Sequence, residues 1–288
     1  MYNRSDKKIK ISLLTLSLFL SCASHAESTL NTSNKSNPKN LAMDQLSLTE
    51  SAQMQLKHLG RTLAVDASAS QPDHVKDPFQ PLNRKIYVFN NALDSHILRP
   101  IAVQYKEKVP SEVRGSYRSF RNNLGEPWNA TNQIIQWKPL KALKTLGRFT
   151  LNTLTTLGLA DPAQRLSLSY EDEGLGTTLG YYHVPSGPYI MLPFLGPSTL
   201  RDSLGWVVDR QARPQKYIFE DHDGLYWTDT ALGAIDLRSS FLDVDGTLQG
   251  DKYAALRDAY LQRNKFVIAE KQGNPDEGVS FVDDTNSP

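Results

Sequence analysis

The 288-residue chain has one cysteine, Cys22, so neither a disulfide framework nor a multi-cysteine zinc site can be built from it. It has no run of eighteen apolar residues, and its mean hydropathy is −0.44, which argues against a membrane-spanning helix. Neither sign of charge is in excess: 32 Lys and Arg against 31 Asp and Glu leave +1, which removes any global electrostatic case for nucleic acid. The six histidines, His25, His58, His74, His96, His183 and His222, form no H-x-x-x-H pair, and there is no G-x-S-x-G elbow. A hydrolase would have to assemble its site from distant residues, and no metal, cofactor or catalytic residue is expected. His183 alone lies near a glycine-rich loop, where it reads as a surface or capping residue. Strand-helix alternation and internal repeats are missing too, so the class is mainly α.

The amino terminus carries the clearest signal. Arg4, Lys7, Lys8 and Lys10 precede an almost wholly apolar stretch, 11–20, the pattern of a bacterial export signal over 1–26. Phe19-Leu20-Ser21-Cys22 reads as a lipobox, and Ser24-His25-Ala26 as an ordinary cleavage site; lipidation at Cys22 is favoured, because the lone cysteine directly follows a small residue. The acyl chains added there would anchor the protein without a spanning helix, and Ala23 after the cysteine fits outer-membrane sorting. Residues 27–76 are polar and read as a tether, with one loosely helical stretch over 46–65. Residues 272–288 carry Asp276, Glu277, Asp283 and Asp284 without a compensating cation, and read as a disordered acidic tail. The ordered domain is then 77–271.

Within it, Phe79, Leu82, Ile86, Phe89, Leu93 and Ile97 make one helical stripe, expected to end at Arg99-Pro100. Val113, Tyr117, Phe120 and Leu124 repeat the pattern, with Arg114, Arg118 and Arg121 on a neighbouring face that suits either solvent and ion pairs or lipid headgroups. Residues 127–160 contain no acid, while Lys138, Lys141, Lys144 and Arg148 supply the charge. There Leu140, Leu143, Leu146, Phe149, Leu151, Leu154 and Leu157 sweep about 200° of a helical wheel, too wide for one neighbouring helix to cover. Either this helix is central in a core or it faces lipid on one side. The lack of acids favours a membrane-facing helix with Leu143, Leu146 and Leu154 in lipid and Lys141, Lys144 and Arg148 beside anionic headgroups. Trp128 and Trp137 flank its approach, where either an interfacial or a core role is ordinary.

Nine Gly or Pro within 174–197 preclude a long helix, though Tyr189, Met191 and Phe194 suit a short extended piece or hairpin. Ser198 is expected to cap a helix through Leu200, Leu204, Val207 and Val208. Residues 225–242 and 251–270 complete the set, the last with Tyr253, Leu256, Tyr260 and Val267 inward and Arg257 and Arg263 outward.

The sharpest catalytic motif is Asp243-Val244-Asp245-Gly246-Thr247, which matches the nucleophile and acid/base pair of Mg²⁺-dependent haloacid-dehalogenase-type phosphohydrolases. That motif ends the first strand of a doubly wound domain, and 41 residues after Thr247 cannot supply one, so a turn between helices is the better reading. Gly174-Leu175-Gly176-Thr177-Thr178-Leu179-Gly180 imitates a dinucleotide loop but follows Glu171-Asp172-Glu173 rather than a buried strand.

A family resemblance covers about 77–273. Asp77-Pro78-Phe79, Asn83-Arg84, Phe89-Asn90, Leu93-Asp94, Leu98-Arg99-Pro100, Val113-Arg114, Arg148-Phe149, Asn152-Thr153, Thr178-Leu179-Gly180, Gly187-Pro188-Tyr189, Leu192-Pro193, Gly196-Pro197, Arg201-Asp202 and Ala259-Tyr260-Leu261-Gln262-Arg263 occur in the order of the MlaA family, also called VacJ, of outer-membrane lipoproteins, which this sequence resembles. The resemblance implies a ring of amphipathic helices embedded in one leaflet, on the periplasmic side of the outer membrane, around a central channel. It implies removal of mislocalised phospholipids from the outer leaflet and their delivery to the periplasmic carrier MlaC, in association with trimeric porins and without nucleotide. A passive structural lipoprotein is the alternative from another class. On the matching positions, Phe89 and Asn90 are implied in gating, Gly187, Pro188, Tyr189, Pro193, Arg201 and Asp202 in the loop bordering the channel, and Arg201 as a phosphate partner. Departures are Ser119 for Asn, Trp137 for Gly, and His183 and Pro185 for glycines.

Overall fold

The computed structural model describes residues 53–57, 59–218, 223–244 and 250–274. The proposed signal, Cys22 and the acidic residues after Asn274 lie outside them. The chain divides into two units, 1–57 and 58–288. Of the first, residues 53–57 are described, and they are helical. The second is mainly α, as expected. Its helices are α1 (Asp73–Lys76), α2 (Gln80–Leu93), α3 (Arg99–Lys108), α4 (Ser111–Ile135), α5 (Pro139–Thr156), α6 (Leu175–Tyr181), α7 (Leu200–Ala212), α8 (Pro214–Ile218), α9 (Asp223–Phe241) and α10 (Lys252–Gln272). One antiparallel hairpin, β1 (Tyr189–Leu192) with β2 (Gly196–Thr199), interrupts them, Tyr189 facing Thr199 and Leu192 facing Gly196.

Local chemistry explains most boundaries and corrects two. The helical path does not end at Arg99-Pro100. Pro100 has no N–H to offer residue 96, and the turn Asp94–Leu98 widens to π geometry, with the Arg99 N–H on the Asp94 carbonyl, so the chain runs on into α3. Thr199 rather than Ser198 caps α7: its hydroxyl accepts from the Asp202 N–H. Asp251 caps α10 by accepting from the N–H groups of Tyr253 and Ala254. At the end of α4, the Lys138 N–H reaches the Gln133 carbonyl and the Trp137 N–H the Ile134 carbonyl, a Schellman closure. Trp137 holds its left-handed position at φ 58°, where glycine is usual, and its side chain is 85% exposed.

Neighbour follows neighbour in a circuit. Helix α3 packs on α9, and α9 is tied to α4 by Arg118–Asp236 at 2.6 Å, Arg121–Asp229 at 3.6 Å and the Tyr117 hydroxyl on Asp229 at 2.9 Å. Two of the three α4 arginines therefore make interhelical ion pairs; Arg114 donates to the Val109 carbonyl. Helix α4 lies along α5 and touches α6, and α6 packs on α7 and α10. From α10, Arg84–Asp251 at 2.6 Å and Arg257–Asp77 at 3.3 Å lead back to α2 and the residue range just before it. Residues 65–76, read from composition as the end of a tether, belong to this body. The Ala67 N–H donates to Ser186 Oγ, the Ser186 N–H to Asp66 Oδ1, and Lys76 Nζ to the Ala69 carbonyl.

The polarity of this body is inverted. Among the described residues, 10 buried side chains are hydrophobic and 22 are polar or charged. The apolar cluster is small: Tyr189, Met191, Tyr253, Leu261 and Ala67. On α2 the buried residue is Asn83, while Leu82 and Phe89 of the apolar stripe, and Ile97 just beyond the helix, are exposed. On α10, Arg257, expected to point outward, is 1% exposed. Helix α5 turns Ala142, Thr145, Arg148 and Asn152 inward and leaves Leu140, Leu143, Leu146, Leu154 and Leu157 outside. Soluble proteins do not carry exposed apolar faces on this scale without a partner to cover them. No described helix is long and apolar enough to cross a membrane.

Helices α6 and α7 approach to backbone contact at two glycines. A Cβ on Gly205 would stand 2.4 Å from the Gly176 nitrogen. Gly205→Ala must push the helices apart, and a loss of about 1–3 kcal/mol is expected for such overpacking, read as a lower thermal midpoint in detergent. The ion pairs that close the circuit make a second prediction. The Arg84 hydrogen bond holds the Asp251 carboxyl below its ordinary 3.8; for Asp73, burial works upward but Arg257 and Lys76 outweigh it and hold it below 3.8 as well. Depressed carboxyls stabilise the fold above their unfolded values and lose that contribution as pH falls through the folded ones. The thermal midpoint should fall as pH drops below 3.8, and Arg84→Gln should make that fall shallower; equal slopes in both proteins would exclude the Asp251 contribution.

Candidate functional site

Helix α10 has a cavity on each side. One, of about 500 Å³, lies against Asp66, Gly180, His183, Arg201, Lys265 and Gln272. The other, of about 540 Å³, lies between α10 and residues 169–172, with Lys141 and Thr177 on its rim. Asn264 borders both. Its Oδ1 accepts from Arg201 at 2.9 Å and its Nδ2 donates to Asp202, which also accepts from the Tyr260 hydroxyl at 2.8 Å. Burial first, then the Asp202 charge, pushes the Tyr260 phenol upward, so it stays a donor. Arg201, Asp202, Tyr260 and Asn264 thus form a fixed polar partition. Arg201 corrects a sequence expectation: it is buried, donating to Asp202, Asn264 and the Val184 carbonyl at 3.0, 2.9 and 3.1 Å. That guanidinium braces the partition instead of offering itself to a phosphate.

The hairpin is docked on α2 by two asparagines. Asn83 Nδ2 donates to the Tyr189 carbonyl at 3.2 Å and to Asp77 at 2.8 Å, while its Oδ1 accepts from the Met191 N–H at 2.9 Å. Seven residues on, Asn90 Nδ2 donates to the Leu192 carbonyl and its Oδ1 accepts from the Phe194 N–H, both at 2.9 Å. The second bracket holds the hairpin turn, and Phe89 packs edge to face on Phe194 at 5.3 Å. Of the other loop positions, Gly187 has φ +71° beside Leu200, Pro188 and Tyr189 are buried, and Pro193 is exposed in the turn. Structure therefore brings Phe89, Asn90 and Pro193 together at the hairpin tip, Gly187 to Tyr189 at its base, and Arg201 and Asp202 in the partition.

Arg148, read as a headgroup contact, is buried among polar partners: Glu126 at 2.6 Å, the Leu168 carbonyl at 2.6 Å, and Asp161. Burial raises the Glu126 carboxyl against the pull of Arg148 and Asn129. Lys141 pairs with Glu171 at 3.0 Å, and Lys144 is exposed with Leu143, Leu146 and Leu154. Trp128 turns inward and donates to Asp209 at 2.9 Å, in contrast to Trp137. Asp243, in a 3-10 turn, accepts from Lys106 at 2.7 Å; Asp245 lies outside the described residues. Among the described residues no three His, Cys, Asp or Glu side chains cluster to hold a metal. Sequence reasoning missed the role of Asn83 and Asn264. The two-turn spacing of Asn83 and Asn90 was a usable signal; Asn264 carried none.

A model of the MlaA lipoprotein family matches residues 75–267. The chain belongs to the MlaA family. MlaA of Escherichia coli (strain K12), an intermembrane phospholipid transport system lipoprotein, is 36% identical over 228 residues, 76% of this chain and 90% of that one. MlaA of Haemophilus influenzae, named in the same words, is 31% identical over 222 residues, 72% of this chain and 87% of that one. A solved structure reported as "Structural basis for maintenance of bacterial outer membrane lipid asymmetry" superposes with a TM-score of 0.59 at 36% identity, covering 67% of this chain and 98% of the other. The MlaA fold and the inverted polarity thus occur together here.

Asn90→Ala removes the partners of the Leu192 carbonyl and the Phe194 N–H at once. The expected result is a loss of about 1–3 kcal/mol and faster hydrogen exchange and proteolysis confined to 192–196, with α10 unchanged. Uniform loosening of the whole body would show that Asn90 serves the fold and not the hairpin tip.

Proposed function

We propose that this protein moves phospholipids between membranes and thereby maintains outer-membrane lipid asymmetry, working as a conduit and not as an enzyme. The observation that carries this reading is the inverted polarity of the helical circuit. Leucines on α5 and apolar residues of α2 and α7 face outward, and each such side chain gains about 1.5–3 kcal/mol on leaving water. Helices too short in apolar length to span would lie within one leaflet, the periplasmic one, with Cys22 as lipid anchor. Asn, Gln, Thr and paired charges inside lower the cost of passing a headgroup that hydrocarbon would penalise. Lipid mislocalised to the outer leaflet enters this interior and is passed to the periplasmic carrier MlaC, with a trimeric porin beside the ring. The hairpin tip, bracketed by Asn90 and Phe89 and turning at Pro193, is the element that gates access, hinged near Gly187, Pro188 and Tyr189. Family membership supports the transport reading, since relatives bear the name of intermembrane phospholipid transport.

Deleting the gene should raise outer-leaflet phospholipid, measured by its accessibility to added phospholipase, and the wild-type gene should reverse the rise. Asp243→Asn should complement fully, because Asp243 is engaged by Lys106. Leu143→Asp with Leu154→Asp should fail, the protein leaving the membrane fraction. Cys22→Ala should lower membrane retention if the anchor is used. No rise on deletion, with expression confirmed, would leave a passive structural lipoprotein as the better reading.

A further inference from the structure

The second cavity has a charged wall that is almost, but not wholly, self-neutralised. Lys141 pairs with Glu171 at 3.0 Å, Asp172 with Arg213 at 3.5 Å, and Lys271 with Glu173 at 2.7 Å. Two charges remain. Arg263 and Glu270 both line the cavity from α10, and neither has an ion-pair partner among the described residues. Seven residues apart, they lie on one face of the helix, two turns or about 10 Å along its axis. Val267, which also lines the cavity, stands between them at the i+4 position of Arg263. The face therefore presents a cation, an apolar step and an anion in a row.

We infer that this face of α10 binds the headgroup of a zwitterionic phospholipid, Arg263 taking the phosphodiester oxygens, Val267 the methylenes beyond them and Glu270 the terminal ammonium. The assignment rests on the phospholipid reading above and adds a headgroup class to it. A planar guanidinium suits two phosphate oxygens at once. A carboxylate two turns away pairs with an ammonium and disfavours a headgroup that bears net negative charge. The two paired lysines of the wall, Lys141 and Lys271, do not compete for the phosphate, because Glu171 and Glu173 already hold them. Tyr170 closes the inner side of the cavity, its ring carrying the Arg148 guanidinium at 5.7 Å.

The test uses the full chain in detergent, equilibrated with equal amounts of short-chain phosphatidylethanolamine and phosphatidylglycerol, and measures bound lipid by mass spectrometry. Wild type should hold the ethanolamine lipid in excess. Arg263→Gln should lower retention of both lipids about tenfold, the loss of one charge-assisted pair, and Arg263→Lys should restore part of it. Glu270→Gln should lower the ethanolamine lipid alone and bring the ratio toward one. Both residues are exposed and unpaired, so thermal midpoints should not move. Glycerophosphoethanolamine should displace bound lipid at concentrations where inorganic phosphate does not; equal displacement by the two would reduce the site to a simple anion site and overturn the inference. An unchanged ratio in Glu270→Gln would overturn it too. If wild type complements the deletion strain while the ratio is unchanged, the headgroup site fails and transport stands; if wild type binds selectively but does not complement, the transport reading fails and the site stands.

Discussion

The buried carboxylate of Asp77 is the point on which the body closes. It lies at the start of the helical circuit and accepts from Asn83 Nδ2 at 2.8 Å, from the Tyr253 hydroxyl at 2.5 Å and from Arg257 Nη1 at 3.3 Å. A charge out of water is tolerable only with donors on every side, and these come from α2 and α10. Arg257, itself buried, reaches on to Asp73 and Asp258, and Lys76 pairs with Asp258 at 3.0 Å. Burial, reinforced by the Asp77 charge, raises the Tyr253 phenol, which therefore stays a donor across the physiological range. Asn83 passes the arrangement to the hairpin, so the register of β1 on α2 depends on the same carboxylate. Removing any one donor would strand a buried charge, which is why the node reads as a closing pin rather than as a binding site.

An apolar exterior imposes the rest. With most of its large apolar side chains outside, the body has no large apolar core to rely on, and cohesion comes from hydrogen bonds and ion pairs. The α4–α5 pair shows how this is done. Glu126, Asn129, Asn132, Gln133 and Gln136 run down one face of α4 and its end, and Arg148, Thr145, Thr178 and Glu173 meet them. A buried polar group without a partner is costly, so a wall built of such side chains has to be laid out with precision.

What was legible in the sequence follows the same division. The class, the α4 and α5 helices, the hairpin and the acid-free leucine face of α5 could all be read from composition and period, because these are properties of the outer surface and of local backbone. Inward-facing polarity was not legible, since an arginine on a helix normally reads as solvated. Arg148 reads as a headgroup contact and Arg257 as solvated on that rule, and Arg201 as a phosphate partner by family resemblance; each is buried among polar partners. On α2 the apolar stripe is exposed at Leu82 and Phe89, while Asn83 and Asn90 hold the hairpin. At Pro100 the local rule for helix ends gave way to a π turn, whose wider pitch no residue pattern announces.

The Arg257–Asp77 contact spans 180 positions of sequence, and the strap around Ala67 meets Ser186 across 119. Such contacts form late, because the loop they close must first exist. Until α10 docks, therefore, the circuit is an open chain of amphipathic helices in which the Asp77 carboxylate lacks the Tyr253 and Arg257 donors. Among the described helices, the last in sequence is thus the one that ties back to the residues before α2. The closure of the body is therefore bought with the longest loop in it, and truncation or delay of α10 leaves Asp77 short of two of its three donors.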